Sequence, residues 1–314
     1  MRLSGPVRMW RIWIPACCLM FNACGGKGDS QFLVGFSQCN LAEPWRQAMN
    51  AAVEQEAKNH ADIRIICADA HQDNDEQVSQ IRSFLSQKID LLMVSPNEAA
   101  PLTPVIKEVF DARIPVIVID RAILGDSYTC FVGGDNKVIG RQAGEFIAEV
   151  LNGKGNIVEI KGLAGSPPAV DRSVPMREVL SHHPDIKIIA EFEARWLRDD
   201  ANQQFPSVLQ AHEDIDLVYA HNDPMAMGAY LAAKNVGREK DIIFVGVDGL
   251  PGSDGGAKMV LDGVLRSTFY YPNCGKEAVQ IAAKILHGEK VDQTISLDTP
   301  IITKENAQQF YQPQ

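Results

Sequence analysis

At 314 residues the chain is too long for one comfortable hydrophobic core, and its length calls for two lobes of roughly 100 to 150 residues each. Its 46% hydrophobic content, without any polar low-complexity tract, excludes an extended or disordered chain. The formal net charge is −10, and because residues 1–23 hold three arginines and no acid the remainder carries −13, which excludes a nucleic-acid surface built on excess positive charge.

Residues 1–23 are a different material from the rest. Arg2, Arg8 and Arg11 precede an apolar run over 12–23, the layout of a secretory signal and too short for a comfortable membrane span. The run ends at Ala23-Cys24 and passes into a glycine-rich polar spacer. A small residue directly before a cysteine resembles a bacterial lipoprotein signal, which implies a signal peptide over 1–23, a lipid on Cys24 and a linker over 24–30. Phe21 and Asn22 depart from the small and branched residues preferred there, and an uncleaved or ordinarily cleaved signal is the alternative. Cys39, Cys67, Cys130 and Cys274 remain in the folded part, with no CxxC spacing and no paired histidines, so they indicate neither a zinc site nor a redox pair. Export permits a disulfide, and the sequence selects no pair.

Taken in order, apolar runs at 32–37, 63–67, 91–96 and 116–120 read as strands, with helices over 45–59, 75–86 and 102–112 between them. The strands are nearly all apolar rather than alternating, the pattern of a parallel sheet covered on both faces. A short strand over 128–132 is followed by Gly133-Gly134-Asp135-Asn136, a glycine pair and a helix cap suited to a crossing between lobes. Helix 138–151 follows, with Gly140 and Gly144 one turn apart for close packing. The rhythm then restarts: strands at 156–161, 186–191, 217–220, 242–248 and 264–270 alternate with helices near 169–181, 200–211, 224–233 and 257–261. Tyr271-Pro272-Asn273 reads as another crossing ahead of helix 275–286, and residues 294–302 read as extended. Alternation of this kind, run twice, predicts an α/β protein of two doubly wound parallel-sheet lobes.

Three of these strands end in polar groups: Asp120-Arg121, His221-Asn222-Asp223 and Asp248. In open α/β sheets that rim is where ligands bind. The glycines after Asp248 lack phosphate-loop spacing, and Ser37, His221 and Asp248 form no spacing that predicts a catalytic triad. No nucleophile-base pair or metal cluster is visible, so the chain reads as a binding module rather than an enzyme, with no cofactor and no metal.

The chain resembles the bacterial periplasmic sugar-binding proteins of the ribose and galactofuranose class over residues 31–305. The markers are Val34-Gly35-Phe36-Ser37-Gln38, Pro44-Trp45-Arg46, Ile119-Asp120-Arg121, Gly134-Asp135-Asn136, Val170-Asp171-Arg172, Ala220-His221-Asn222-Asp223 and Val247-Asp248-Gly249. No single marker is specific, and their order and spacing carry the resemblance. It implies the type I periplasmic binding protein fold, with two lobes joined by a three-strand hinge and a sugar between them. One lobe would comprise 31–134 and 271–297, the other 135–270 and 298–314. Ser37, Glu43, Trp45, Arg46, Asp120 and Arg121 would line the first wall, Arg172, Trp196, Asn222 and Asp248 the second, with Tyr270 near the hinge. Ser95 and Arg198 are weaker candidates. Arg46 stands where many relatives have a second aromatic, as in the galactofuranose branch, and Tyr270 replaces an amide common in ribose binders.

These residue types suit a monosaccharide, whose apolar C–H faces can lie on indole rings and whose hydroxyls both donate and accept. Buried acids and arginines would be costly without one another and without ligand hydroxyls. Bland readings stand beside these: Trp45 as helix-start packing, Trp196 as a surface aromatic, Asp120-Arg121 as a structural ion pair, Arg172 as a solvated helix residue, and His221 as a structural group. The resemblance implies a monomeric, membrane-anchored lipoprotein on the periplasmic side of the cell envelope, which captures a pentose or hexose, in furanose form in one reading, for the permease of an ABC transporter. The alternative is a sugar-sensing partner of a membrane signalling system, which calls for a membrane-spanning or kinase segment. A sugar-responsive repressor would instead need a DNA-binding segment where the signal stands.

Overall fold

The computed structural model describes residues 31–312, and the expected signal segment, linker and lipid-bearing Cys24 lie outside them. Eight elements alternate first: β1 (Phe32–Gln38), α1 (Pro44–Ala57), β2 (Ile63–Asp69), α2 (Asn74–Ser86), β3 (Leu91–Ser95), α3 (Ala99–Asp111), β4 (Val116–Ile119) and β5 (Cys130–Gly134). The chain then crosses to α4 (Asn136–Val150), β6 (Lys154–Lys161), α5 (Pro167–Leu180), β7 (Asp185–Glu193), α6 (Arg198–Ala211), β8 (Leu217–Ala220), α7 (Asp223–Asn235), β9 (Ile243–Asp248), α8 (Gly256–Leu261) and β10 (Ser267–Tyr270). It returns for α9 (Gly275–Leu286) and β11 (Thr294–Leu297), and crosses a third time to β12 (Ile301–Ile302) and α10 (Ala307–Phe310).

Two six-stranded sheets result, ordered β2-β1-β3-β4-β5-β11 and β7-β6-β8-β9-β10-β12. All pairings are parallel except β10 with β12. β3, β4 and β8 are buried along their whole length, as their uninterrupted apolar runs require. In each sheet the order reverses beside its first strand, between β1 and β3 and between β6 and β8, and such a switch point opens a crevice at the carboxyl ends of the strands.

The helices seat on these sheets by their apolar faces. Trp45, Met49 and Val53 of α1 recur every four residues and are buried. Gly140 and Gly144 let α4 approach α5 closely, since a Cβ on Gly140 would stand 2.6 Å from the Arg172 carbonyl oxygen. One hydrophobic cluster runs from the first sheet through Tyr271 and Cys274 into the second, so the crossings are part of the core.

Three expectations shift by a few residues. Gly133 and Gly134 are the last residues of β5 rather than part of the crossing, paired with Ser296 and Leu297 of β11, and the crossing begins at Asp135. β10 starts at Ser267 instead of 264, because the Val264 and Leu265 N–H groups close α8 on the Met259 carbonyl. The extended segment over 294–302 divides between the two sheets. Cys39, Cys67, Cys130 and Cys274 are free thiols. Among the described residues no helix is long and apolar enough to cross a membrane.

Candidate functional site

The carboxyl ends of the two sheets meet around a narrow cavity lined by Glu43, Trp45, Arg46, Asp120, Arg121, Pro168, Arg172, Trp196, Asn222, Asp248 and Tyr271. Every lining residue is buried. The lobes touch around it: Gln72 Nε2 donates to the Arg195 carbonyl at 3.3 Å, and Ala99 N–H donates to the Gly165 carbonyl at 3.2 Å. The arrangement is closed.

On the first wall, α1 begins just after β1 and projects Arg46 inward. Arg46 Nη2 lies 2.6 Å from Asp120 Oδ2, Nη1 donates to Ser95 Oγ at 2.8 Å, and the guanidinium lies 4.8 Å from the Trp45 ring centroid. Arg121 donates to the Asn97 carbonyl at 2.8 Å, with Glu43 and Asp120 at 3.9 and 3.8 Å. Glu43 is itself held by Asn40 Nδ2 at 2.7 Å. Trp45 Nε1 reaches the Tyr271 carbonyl at 2.9 Å, which anchors the indole to the second crossing.

On the second wall, Arg172 of α5 donates through Nε to Asn136 Oδ1 at 2.8 Å and through Nη1 to the His221 carbonyl. Its guanidinium stands between two rings, 5.5 Å from Trp196 and 4.8 Å from Tyr271. Arg121 approaches Trp196 from the other lobe, also at 5.5 Å. Asn222 caps α7 by accepting Met225 N–H and donates to the Trp196 carbonyl at 3.0 Å, so cap and wall are one residue.

Three acids and three arginines face one small volume, equal in number. Asp120, Trp196 and Asp248 have φ of 66°, 71° and 129°, sparsely populated for residues with a side chain. Strain of this kind costs on the order of 1 to 3 kcal/mol per residue and persists where surrounding structure enforces it, often at ligand clamps. Burial, and next the nearby Asp223 charge, push Asp248 well above the ordinary carboxylate range. Behind the wall His221 Nε2 lies 3.0 Å from Glu159 Oε1 and Arg177 pairs with the other carboxylate oxygen. Burial alone would raise Glu159, but these partners outweigh it and bring it down to about 2. Burial lowers His221, whose Nδ1 accepts the Gly162 N–H at 3.4 Å, leaving Nε2 to donate to Glu159.

Of the eleven residues singled out from the sequence, nine line this cavity and two do not. Ser37 is buried away from it, accepting from Gln77 of α2 at 3.2 Å; its neighbour Gln38 points the opposite way, toward Arg46. Tyr270 packs on Phe310 with ring centroids 5.7 Å apart, and Tyr271 lines the cavity instead. Both corrections follow from alternation, since consecutive residues of an extended chain point to opposite sides. Ser95 supports Arg46 from behind. Arg198 is exposed, pairs with Asp199 at 3.7 Å and lines an outer groove. Pro168 also lines the cavity without standing out in the sequence, and its place in the first turn of α5, beside the strand tips, is the signal that points to it. Among the described residues, no group of three or more His, Cys, Asp or Glu side chains could hold a metal ion.

The family model described as "Periplasmic binding protein domain" matches residues 34–290. The galactofuranose-binding protein YtfQ of Escherichia coli (strain K12) is 35% identical over 227 residues, covering 69% of this chain and 71% of that protein. Among solved structures, the fructose-binding periplasmic domain of a hybrid two-component system superposes with a TM-score of 0.86 at 43% identity, covering 88% of this chain and 92% of its own. The periplasmic binding protein component of the arabinose ABC transporter from Shewanella sp. ANA-3, bound to alpha and beta-L-arabinofuranose, has a TM-score of 0.82 at 31% identity, covering 88% of this chain and 93% of its own.

Proposed function

Because the chain belongs to the periplasmic binding protein family, we propose that it is a sugar-binding protein of the ABC-importer class that closes its two lobes on one monosaccharide in furanose form. The observation that carries this reading is the meeting of three acids and three arginines with indole and phenol faces in one small volume. A neutral polyol suits it: carboxylates accept from hydroxyls, guanidinium forks donate to them, and rings cover C–H faces. The furanose assignment draws on the galactofuranose and arabinofuranose relatives and on the narrowness of the cavity.

In this reading Glu43, Trp45, Arg46, Asp120 and Arg121 grip the sugar from one lobe, formed by 31–134 and 271–297. Arg172, Trp196, Asn222 and Asp248 grip it from the other, formed by 135–270 and 298–314, with Tyr271 at the hinge. The protein works as a monomer tethered by lipid on Cys24 to a membrane of the cell envelope, and hands the closed complex to a permease. The Ala23-Cys24 junction after a short apolar run supports the tether. It carries out no chemistry on the sugar.

A second reading, sugar sensing for a membrane signalling system, is favoured by the 43% identity to a two-component sensor's periplasmic domain. Uptake of labelled sugar by cells lacking the gene separates the two. Import predicts lost uptake, while sensing predicts normal uptake and a lost transcriptional response. Mass spectrometry of the mature amino terminus tests the lipid on Cys24.

A further inference from the structure

Three segments carry the chain between the sheets, and they meet at one side chain. The first leaves β5 at Gly134, the second is Tyr271 itself, and the third passes through Thr299 between β11 and β12. A Cβ on Gly134 would stand 2.5 Å from Tyr271 Cε2 and 2.7 Å from Thr299 Cγ2, so the phenol ring fills the space that the missing Cβ leaves between crossings. The same ring lines the cavity and carries the Arg172 guanidinium 4.8 Å from its centroid.

Tyr271 is tied to both lobes. Its hydroxyl accepts from Asn136 Nδ2 at 3.2 Å, and Asn136 is the first residue of α4 on the second lobe. Its carbonyl accepts from Trp45 Nε1 at 2.9 Å, and Trp45 belongs to α1 on the first. The two rings lie 5.4 Å apart. Asn136 in turn accepts from Arg172 Nε at 2.8 Å, which closes a circuit from cavity wall through hinge to the opposite wall. The Asn136–Tyr271 contact thus joins the start of α4 to the second crossing.

We infer that Tyr271 is a positioning residue that braces the hinge in its closed geometry, so that a ligand settling against Arg172 and Trp45 stabilises closure through the Tyr271–Asn136 contact. The inference rests on the sugar-binding reading for its ligand, and on the hinge contacts alone for its effect on closure.

The test compares wild type with Tyr271→Phe, which keeps the ring and removes the hydroxyl. Small-angle X-ray scattering is measured without sugar and with saturating sugar, beside stopped-flow binding. The expected result is a more open ligand-free ensemble for the variant, the same compact form at saturation, and sugar dissociation roughly five- to tenfold faster with association unchanged. A purely structural role would lower the melting temperature and leave the ligand-free scattering as in wild type, which overturns the inference. If wild type binds no sugar in a broad panel, the proposed function fails, and the ligand-free scattering still decides the brace. If Tyr271→Phe does not fold, Asn136→Ala removes the donor, together with the acceptor of Arg172 Nε, while leaving the phenol, and the ligand-free scattering decides.

Discussion

Asp223 fixes the backbone that presents Asp248 to the cavity. Its carboxylate accepts the N–H of Gly249, the next residue along, at 2.8 Å and the Thr268 hydroxyl at 2.6 Å. Asp248 is thereby held at a φ of 129°, and only charges, with no hydrogen bond, offset its burial. Two buried carboxylates so arranged cannot both ionise cheaply.

A pH dependence of stability follows. Burial raises Asp223 to about 7, and Asp248 is raised as well. In the unfolded chain both release their protons near pH 4. Above that pH these two groups bind more protons in the folded state than in the unfolded one, so their contribution to stability falls as pH rises from about 4 to about 7 and then levels for Asp223, while His221, lowered by burial, acts in the opposite sense toward its unfolded value. Glu159, lowered to about 2, acts in the opposite sense: its contribution is present above about pH 4 and is lost as pH falls toward 2, outside that window. Urea unfolding at a series of pH values reads the slope, and Asp223→Asn is expected to flatten it.

Gly162 defines where Trp196 lies. A Cβ there would stand 2.1 Å from the indole Cζ2, so Gly162→Ala displaces the ring that faces Arg121 and Arg172. The expected outcome is at least a roughly tenfold loss of sugar affinity by calorimetry, equivalent to about 1.4 kcal/mol. Far-ultraviolet circular dichroism is expected to be unchanged, because the loop lies outside both sheets.

How far the site could be read from the sequence depends on which signal each residue carries. Asp120 and Asp248 stand out because each interrupts an apolar run at a strand tip, and Arg172 stands out by its place in a motif. The two doubly wound sheets are legible for the same reason, since uninterrupted apolar strands alternating with helices leave little other choice. The choice between Tyr270 and Tyr271, or between Ser37 and Gln38, turns on a one-residue phase that an extended run of buried residues does not encode. The partition of 294–302 between the sheets is equally hidden, because both halves of that segment are extended and differ only in which sheet edge they reach.

The pair behind the second wall makes a contrasting prediction. Glu159 is fully buried, while its partner Arg177 is 37% exposed, so solvent weakens what removing the charge costs. Glu159→Gln is expected to destabilise the fold by roughly 2 to 4 kcal/mol in urea unfolding. Sugar affinity is expected to change less than roughly threefold, well under 1 kcal/mol, since Glu159 lines no part of the cavity.

Calorimetric titration of residues 31–314 with arabinose, ribose, fructose and galactofuranose, alongside Asp248→Ala and Arg121→Ala, bears most directly on the central claim. One sugar is expected to bind one-to-one at about micromolar affinity or tighter, with both variants weakened by roughly a hundredfold or more. A broad panel in which no sugar binds, or in which both variants bind as wild type does, would contradict it.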